Sequence, residues 1–529
     1  MKKQELIIAK KNDLQNGQMK KISISEDEDV LLVRIDDKFY ARTAYCPHYG
    51  ASLETGVLAG TKVMCPWHHA TFDIPTGELI EPPALHGLTA YTVKIRGEDV
   101  VLYPAEAPVK SSDKTSEKKA LKKDKPTFVI IGGGSAGNAA AQQLRMSGFD
   151  GHLKIISADT EPPYDRPNLS KDYLKGDMDP SWLPLNAENF FQEQGIELLL
   201  EKRVTSIDAH RKSIELEDQT SLRYDKLLVA SGSRPRKLKV PGHDLKNVFS
   251  LRTASDAAAI LAQAEKSERI TIIGASFIGM EAAENLSNGK CEIHVIARET
   301  VPFASLFGKQ MGELLKQKKQ EDGIHFHLER QVKEFRGDGK LETVVLDNEE
   351  AITSDLSILG IGVEPVTEFM PHFNKAADES LLTDKYLQVE NDIFAAGDIA
   401  TFPYHRSGNL IRVEHWRVAE QLGMAAAQNM LNAKKSVEIV PFFWTQLAGV
   451  SYRYVGYPDK WDESVIHGSL ADDHFMIYYG RNNHINAVLG AGRDREMAVI
   501  ELLMRQDRMP PLAKIKEGAW TIEELQALI

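Results

Sequence analysis

The first 104 residues alternate short apolar runs with turns rich in Gly, Asp and Pro. The runs are rich in β-branched or aromatic residues and cover 30–35, 38–41, 91–95 and 100–103. Runs of this length and composition predict strands, and their close spacing predicts a small antiparallel sandwich or barrel. We therefore expect an N-terminal all-β module at residues 1–104.

After residue 126 the hydrophobic pattern changes to strand, Gly-rich turn and helix. Residues 127–131 lead into Gly132, and residues 270–273 lead into Gly274. These two similar starts indicate an internal repeat of one βαβ unit. From about residue 436 short aromatic strands return and a helical stretch at 496–505 follows them. This last pattern predicts a separate α+β domain.

Residues 105–126 break the composition of the chain. They hold seven Lys against four acidic residues and almost no large apolar side chain. Such a segment cannot bury enough surface to fold alone. We interpret it as a solvated linker, with a basic docking arm as the alternative. A linker of this length lets the β module swing, and fixed docking is equally compatible with the sequence.

Composition sets the class of protein. The chain has 529 residues, enough for three to four domains, and 42% of them are hydrophobic. A net charge of −12 argues against nucleic acid as a partner. No apolar run reaches the roughly 20 residues of a membrane span, and charges interrupt the first ten residues, unlike a signal peptide. Three cysteines exclude a disulfide framework and suit a reducing, cytoplasmic location.

Two of the three cysteines lie in matching short motifs. Cys46-Pro47-His48 is followed by Cys65-Pro66-Trp67-His68. Two thiols and two imidazoles on two loops suit a [2Fe–2S] cluster with two thiolates on one iron and two imidazoles on the other. They also suit a tetrahedral zinc site.

The flanking residues, 50–53 and 70–77, resemble the Rieske pattern. That resemblance implies Cys46, His48, Cys65 and His68 as cluster ligands. Rieske domains of respiratory bc-type complexes carry a second cysteine in each loop, where this chain has Ala51 and Trp67. The resemblance is therefore to the ferredoxin-like Rieske class and implies a lower reduction potential. We expect His69 and His86 to lie at the surface or behind the ligands.

The first βαβ start carries a dinucleotide-binding fingerprint that opens an Ala-rich helix. Its glycines let the backbone approach a pyrophosphate, which then lies at the helix N-terminus. Asp159, after the next strand, is expected to hold a ribose, with Glu161 as the alternative. The fingerprint predicts cofactor contacts at Gly132, Gly134, Ser135, Ala136 and Gly137.

The second fingerprint is degenerate, because Ser276 replaces its middle glycine. Its predicted nucleotide contacts are Gly274, Ser276, Phe277, Ile278 and Gly279.

The acid expected at the end of the following strand is also missing from this second unit, and Ala297 stands there. Either Glu299 turns in to hold a ribose 2′-hydroxyl, or Arg298 holds a 2′-phosphate. NADH and NADPH therefore both remain open as the nucleotide.

Several longer motifs resemble oxygenase-type ferredoxin reductases and apoptosis-inducing-factor-like flavoproteins. They are residues 163–171, 224–235, 360–365, 393–398, 414–416 and 442–445. The resemblance implies bound FAD, a nicotinamide nucleotide, and site residues Arg166, Lys171, Ala230, Ser231, Gly232, Glu281, Gly362, Asp398 and Trp416.

The same resemblance implies roles for three of these side chains. Lys171 is expected near flavin N5, paired with Glu281, and Trp416 at the flavin or nicotinamide face. The alternatives are a surface lysine, a solvated carboxylate and a core aromatic residue.

The implied architecture is multidomain. After the Rieske module, an α/β flavoprotein with two dinucleotide-binding domains carries a C-terminal α+β interface domain. The FAD domain takes residues 127–250 and 366–435, the inserted NAD(P) domain takes 251–365, and the interface domain takes 436–529.

The remaining cysteine bears on the function. Many relatives with this double fold reduce disulfides through a CxxxxC pair on the FAD domain. Here Cys291 stands alone in the nicotinamide segment, where we expect a buried structural thiol. We therefore expect electrons to pass from NADH or NADPH through flavin and cluster to an external one-electron acceptor protein. One alternative is a nucleotide-responsive regulatory flavoprotein with slow turnover. Another is a quinone or small oxidised substrate as acceptor, with the Rieske module only a docking domain.

Overall fold

The computed structural model describes residues 5–103, 125–287, 289, 291–457, 460–518 and 520–529. Most of the predicted linker, 105–126, lies outside the described residues. Each of the other sequence segments folds around buried apolar side chains.

The N-terminal module is all-β, as its period-two apolar pattern predicts. A six-stranded antiparallel sheet has the order β1-β10-β9-β4-β3-β2, and a smaller sheet has the order β5-β6-β7-β8. The strands are β1 (Leu6–Lys10), β2 (Met19–Ser23), β3 (Asp29–Ile35), β4 (Lys38–Thr43), β5 (Val57–Ala59), β6 (Lys62–Met64), β7 (Thr71–Asp73), β8 (Leu79–Glu81), β9 (Ala90–Arg96) and β10 (Asp99–Tyr103).

The first dinucleotide fold begins at Thr127. Its elements are β11 (Thr127–Ile131), α1 (Ser135–Met146), β12 (His152–Ile156), α2 (Asp172–Lys175), α3 (Phe190–Glu193), β13 (Ile196–Leu199), β14 (Val204–Asp208), β15 (Ser213–Leu216), β16 (Ser221–Arg223), β17 (Lys226–Val229) and β18 (Ser233–Pro235). Strands β11, β12, β13 and β17 pair in parallel, which buries both faces of the sheet and explains their continuous apolar runs.

The second dinucleotide fold is inserted into the first. Its elements are β19 (Val248–Ser250), α4 (Ala254–Ala264), β20 (Arg269–Ile273), α5 (Phe277–Leu286), β21 (Glu292–Ala297), α6 (Ala304–Phe307), α7 (Lys309–Glu321), β22 (Ile324–Leu328), β23 (Val332–Arg336), β24 (Thr343–Leu346), β25 (Ala351–Thr353), β26 (Leu356–Leu359) and β27 (Val363–Pro365). Its parallel sheet has the order β19-β26-β20-β21-β22. Strand β19 precedes the predicted boundary at residue 251, yet it pairs with this sheet.

The chain then returns to the first sheet. The elements are β28 (Leu381–Leu382), β29 (Gln388–Glu390), β30 (Ile393–Ala395), β31 (Ala400–Pro403), β32 (Leu410–Ile411) and α8 (Trp416–Met430). Strand β30 joins β17 in parallel, and α8 packs on α1. The helices approach so closely that a Cβ on Gly423 would meet the Ala136 carbonyl at 2.2 Å.

In its described residues, the C-terminal domain is an antiparallel sheet with three helices. Its elements are β33 (Phe442–Leu447), β34 (Val450–Gly456), β35 (Glu463–Ser469), β36 (His474–Arg481), β37 (His484–Ala491), α9 (Asp494–Arg505), α10 (Leu512–Glu517) and α11 (Ile522–Gln526). Val57 and Met64 of the N-terminal module join its hydrophobic core. The N-terminal module therefore docks on this domain through buried apolar contacts.

Candidate functional site

The two Cys–His motifs form two loops with the same backbone geometry. In the first, the Cys46 N–H donates to the Ala51 carbonyl, and the Gly50 N–H donates to the Cys46 carbonyl. In the second, the Cys65 N–H donates to the Ala70 carbonyl, and the His69 N–H donates to the Cys65 carbonyl. These equivalent turns bring both motifs to one end of the module.

The four predicted ligands meet as two pairs. The thiols of Cys46 and Cys65 are buried within hydrogen-bonding reach of each other. Nδ1 of His48 lies 3.1 Å from Nδ1 of His68. Burial lowers the pKa of His48 to about 4, which keeps its imidazole neutral, as a metal ligand requires.

The donor set fits a [2Fe–2S] cluster better than a single zinc ion. A zinc site needs all four ligands around one point. Within the described ranges, no three His, Cys, Asp or Glu side chains form such a group. A thiol pair beside an imidazole pair matches the two-iron arrangement. His86 is exposed, and the buried His69 contacts Glu501 at 2.6 Å, so neither extra histidine joins the ligand pairs.

A cavity of about 630 Å³ lies between the first dinucleotide fold, the second and the C-terminal domain. The N-terminus of α1 opens into it with no acidic residue in the first turn, as a pyrophosphate site requires. Asp159 lines the cavity and accepts from Arg166 Nη2 at 3.1 Å, whereas Glu161 is exposed. The predicted residues that line it are Gly132, Gly134, Ser135, Ala136, Asp159, Arg166, Lys171, Ala230, Ser231, Gly232, Phe277, Ile278, Glu281, Asp398 and Trp416.

Gly137 and Gly132 shape the turn before α1. A Cβ on Gly137 would meet the Gly132 carbonyl at 2.0 Å. Gly132 itself has φ +115°, and its Cβ would meet the Ala230 carbonyl at 2.1 Å. Only glycine fits at either position, so the turn can place backbone N–H groups against a phosphate.

Lys171 and Glu281 form an ion pair across the two dinucleotide folds. Nζ of Lys171 lies 2.9 Å from Oε2 of Glu281, whose side chain is buried. Glu281 also accepts from Ser170 Oγ at 2.6 Å and from Thr445 Oγ1 at 2.7 Å. Three domains thus hold one carboxylate. Ser170 and Thr445 were not predicted as site residues, although both lie inside motifs that resemble the family.

Asp398 and Trp416 lie where the second half of the FAD domain returns. Asp398 accepts from Ser233 Oγ at 2.6 Å and from Arg252 Nη2 at 3.2 Å. Trp416 begins α8, and its carbonyl accepts from Ser135 Oγ at 3.2 Å. The predicted roles of these side chains toward flavin stay predictions.

Five predicted residues lie away from the cavity, on the second dinucleotide fold. Gly274 has φ +104°, and Ser276 caps α5 by accepting from the Gly279 N–H at 3.3 Å. Gly362 has φ +91°, and Arg298 is exposed beyond β21. The predicted site therefore divides into a cavity and an adjoining nucleotide surface. Cys291 is partly buried near the Ala264 carbonyl.

The ligand loops of the N-terminal module touch the wall of the cavity. Trp444 lines the cavity, and its ring centroid lies 4.3 Å from that of His68 and 6.1 Å from that of His48. The Tyr49 hydroxyl donates to Asp165, which also accepts from Asn168 Nδ2 at 2.8 Å. Neither Trp444 nor Tyr49 was predicted as a site residue.

A buried charge network crosses the same junction. Arg417 of α8 and Glu501 of α9 are fully buried and make three N–O contacts of 3.1 Å. Arg505 Nη2 donates to Glu501 at 2.7 Å and Nη1 to Glu81 at 2.9 Å. Burial alone would raise the pKa of Glu501, but Arg417, His69 and Arg505 outweigh it and hold that pKa below its ordinary range. We call these five residues, Glu81, His69, Arg417, Glu501 and Arg505, the interdomain charge network.

The fold and site together define a flavoprotein oxidoreductase with a built-in Rieske module. Comparison with known families supports this class. Residues 126–426 match the pyridine nucleotide-disulphide oxidoreductase family, residues 4–107 the Rieske [2Fe-2S] domain, and residues 442–525 the reductase C-terminal family. The chain belongs to the pyridine nucleotide-disulphide oxidoreductase family, and it uses FAD, NAD(P)H and a Rieske [2Fe–2S] cluster. This confirms the fold class and cofactors predicted from the sequence.

Individual relatives cover most of the chain. Apoptosis-inducing factor 3 of Homo sapiens is 34% identical over 93% of this chain and 82% of its own length. The benzene 1,2-dioxygenase system ferredoxin–NAD(+) reductase subunit of Pseudomonas putida is 29% identical over 71% of this chain and 91% of its own. The covalent putidaredoxin reductase–putidaredoxin complex gives a TM-score of 0.72 at 27% identity, over 76% of this chain and 98% of that one. The chain is thus a ferredoxin reductase-like oxidoreductase. Among its described residues, no helix is long and apolar enough to cross a membrane.

Proposed function

We propose that this chain oxidises NAD(P)H at the cavity and delivers the electrons through its own Rieske centre to an external one-electron acceptor protein, a ferredoxin or an oxygenase component. One observation carries the proposal. Trp444 lines the cavity while its ring lies 4.3 Å from that of His68. A single aromatic side chain thus separates the cavity from a cluster ligand.

When bound, FAD takes a hydride from NAD(P)H, and a [2Fe–2S] cluster takes electrons one at a time. The chain supplies binding and orientation. The N-terminus of α1 would hold the pyrophosphate of the bound cofactor, and Asp159 would accept a hydrogen bond from its ribose. Glu281 fixes the Lys171 ammonium at 2.9 Å inside the cavity, where a positive charge favours added electron density.

The acceptor class is supported by the relatives. The Pseudomonas putida relative is named as a ferredoxin–NAD(+) reductase subunit of a dioxygenase system, and the similar solved structure is a reductase joined to a protein partner. Here the chain carries an iron–sulfur module of its own against the reductase. We infer that this module first accepts the electrons inside the protein and then passes them to an outside protein.

A regulatory flavoprotein with slow turnover is the second candidate. The likeness to apoptosis-inducing factor 3 over 93% of this chain favours it, because that likeness includes the Rieske module. The two candidates differ in what the cluster does after the nucleotide binds. Only the first candidate function predicts fast cluster reduction and fast turnover with an acceptor protein.

Anaerobic titration of the purified holoprotein with NADH, and separately with NADPH, tests the proposal. We expect the flavin band to bleach and the reduced Rieske EPR signal to grow with it. Bleaching with an oxidised cluster would refute the internal route. A Cys46→Ser variant that kept full activity with the acceptor protein would leave the Rieske module only a docking role.

The cytoplasm is the location that we propose. The chain has three cysteines in 529 residues, too few for a disulfide framework. Such low cysteine use is typical of proteins of a reducing compartment. Fractionation of cells that express the full chain, with detection by antibody, tests this location.

A further inference from the structure

The end of β21 lies beside the glycine turn of the second dinucleotide fold. Ile273 of β20 pairs with Ile296 of β21, and the Gly274 N–H donates to the Ile296 carbonyl at 2.7 Å. In dinucleotide folds the adenosine ribose of a nucleotide bound at such a turn reaches the end of this second strand. The residues that follow Ile296 therefore meet either a 2′-hydroxyl or a 2′-phosphate.

The strand end carries no carboxylate. Ala297, which is buried, takes the last position of β21, and its methyl group cannot accept a hydrogen bond from a ribose. Arg298 follows directly and is exposed. Within the described ranges the Arg298 guanidinium pairs with no carboxylate, so its charge is available to a ligand.

A second arginine is anchored at the same place. The Arg330 N–H donates to the Ala297 carbonyl at 3.0 Å, which fixes its backbone against the strand end. Its Nη1 donates to the Glu329 carbonyl at 2.8 Å, and it too has no carboxylate partner among the described residues. Guanidinium groups bind phosphate through forked N–H donors, and the backbones of two arginines adjoin Ala297.

Glu299 is the competing group, because a carboxylate there would accept from a 2′-hydroxyl and repel a 2′-phosphate. It lies one residue farther along than Arg298, and its carbonyl accepts from the Glu329 N–H at 3.2 Å. Glu299 and Glu329 balance the formal charge of the two arginines, so position decides the preference. The arginines adjoin Ala297 directly, one along the chain and one by a hydrogen bond.

We propose that the nucleotide of this chain is NADPH and that Arg298 and Arg330 hold its 2′-phosphate. The proposal rests on the proposed function, since it names the nucleotide that the same site oxidises. The proposed nucleotide differs from the one in the name of the Pseudomonas putida relative, a ferredoxin–NAD(+) reductase subunit.

Calorimetric binding of two fragments to the holoprotein tests the assignment without any redox step. Adenosine 2′,5′-bisphosphate and 5′-AMP differ only in the 2′-phosphate. We expect the bisphosphate to bind at least about 100-fold more tightly, since each of the two arginines would add a charged hydrogen bond worth about 1.5–3 kcal/mol. Arg298→Ala should reduce that advantage about 10- to 100-fold, and Arg298→Lys should reduce it less. Arg211→Ala, at an exposed arginine of the β14–β15 turn, is the matched control and should change nothing.

Equal binding of the two fragments to the unaltered protein would overturn the proposal, and so would an unchanged ratio in Arg298→Ala. Weaker NAD⁺ binding in Glu299→Gln, with NADP⁺ binding intact in Arg298→Ala, would assign an NADH site instead. The anaerobic titration separates this failure from that of the proposed function. If NADH reduces the cluster at lower concentration than NADPH, only the preference fails. If neither nucleotide reduces the cluster although the bisphosphate binds more tightly, only the electron route fails.

Discussion

Arg417 holds the Rieske module against the reductase from inside the junction. Its Nε donates to the Pro82 carbonyl at 2.9 Å and its Nη2 to the His69 carbonyl at 3.1 Å, and both carbonyls belong to the module. Its two Nη atoms also contact Glu501 of the C-terminal domain. We predict that Arg417→Met loosens the module while leaving the rest of the reductase folded.

The size of the effect follows from these contacts. Two carbonyls lose a charged donor, each worth about 1.5–3 kcal/mol, and removal of one partner from a buried ion pair costs about 3–5 kcal/mol. These figures overlap, and Arg505 and His69 still contact Glu501 at 2.7 and 2.6 Å. We therefore expect the low end, about 3 kcal/mol, which weakens docking roughly 100-fold.

Cleavage of the linker exposes this change in docking. Residues 105–126 contain seven lysines, so brief trypsin treatment should cut there. Gel filtration then follows the iron–sulfur and flavin absorbance. We expect the two fragments of the unaltered protein to elute together and those of Arg417→Met to separate. Arg495→Met, at an exposed arginine of α9, is the matched control and should behave like the unaltered protein.

Two results would refute this reasoning. Fragments of Arg417→Met that stay together at concentrations far below those used for the unaltered protein would show that the network does not hold the module. Separation of the unaltered fragments would show that docking depends on the linker instead. Retained FAD absorbance in the variant checks that its reductase part is folded.

Four further changes test other parts of the site. Trp444→Leu should slow cluster reduction in stopped-flow traces more than flavin reduction, because the ring contacts with His68 and His48 are lost; equal slowing of both phases would contradict this. Glu281→Gln should slow flavin reduction by NAD(P)H about tenfold, since the Lys171 ammonium loses the carboxylate that fixes its position, and an unchanged rate would show that the ion pair plays no part in the reaction. Burial lowers the pKa of His415 to about 4 in the folded protein. As pH falls from about 6.5 towards 4, His415 takes up a proton in the unfolded protein but not in the folded one, so stability is lost over this range. In denaturant titrations, the free energy of unfolding of His415→Gln should fall by about 3 kcal/mol less over this pH range than that of the unaltered protein. The same fall in both proteins would show that His415 is not the cause. Trp67 is 39% exposed beside His68, so Trp67→Ala should slow turnover with an acceptor protein but not internal cluster reduction, and slowing of both would place Trp67 on the internal route.

Local motifs allowed much of this fold to be predicted. Each Cys–His motif lies in a turn between short strands, so the four ligands follow from spacing within two short segments. The turn at Gly132 likewise depends on neighbouring residues that only glycine satisfies. Such features are encoded over five to ten residues, and a single sequence displays them.

The contacts between domains could not be predicted in this way. Arg417 and Glu501 lie 84 positions apart, and His69 and Glu501 lie 432 apart. In the sequence, Arg417 and Glu501 are charged residues on amphipathic helices, which normally indicates a solvent-exposed face. Their burial depends on how three domains pack. The position of Trp444 could not be predicted either, because an aromatic residue in a strand normally indicates a core residue.

The charge network bears on how the electrons leave the protein. A buried ion pair adds little net stability compared with apolar packing, but it penalises every arrangement that leaves one charge unpaired. The network therefore favours one docked position, in which His48 and His68 face Trp444 inside the protein. Docking within one chain also replaces a bimolecular encounter by a contact at an effective concentration of about millimolar or more. A module held this firmly does not need to travel between flavin and acceptor. The acceptor protein must then come to the module, and the exposed edge of Trp67 is where a ligand loop meets solvent.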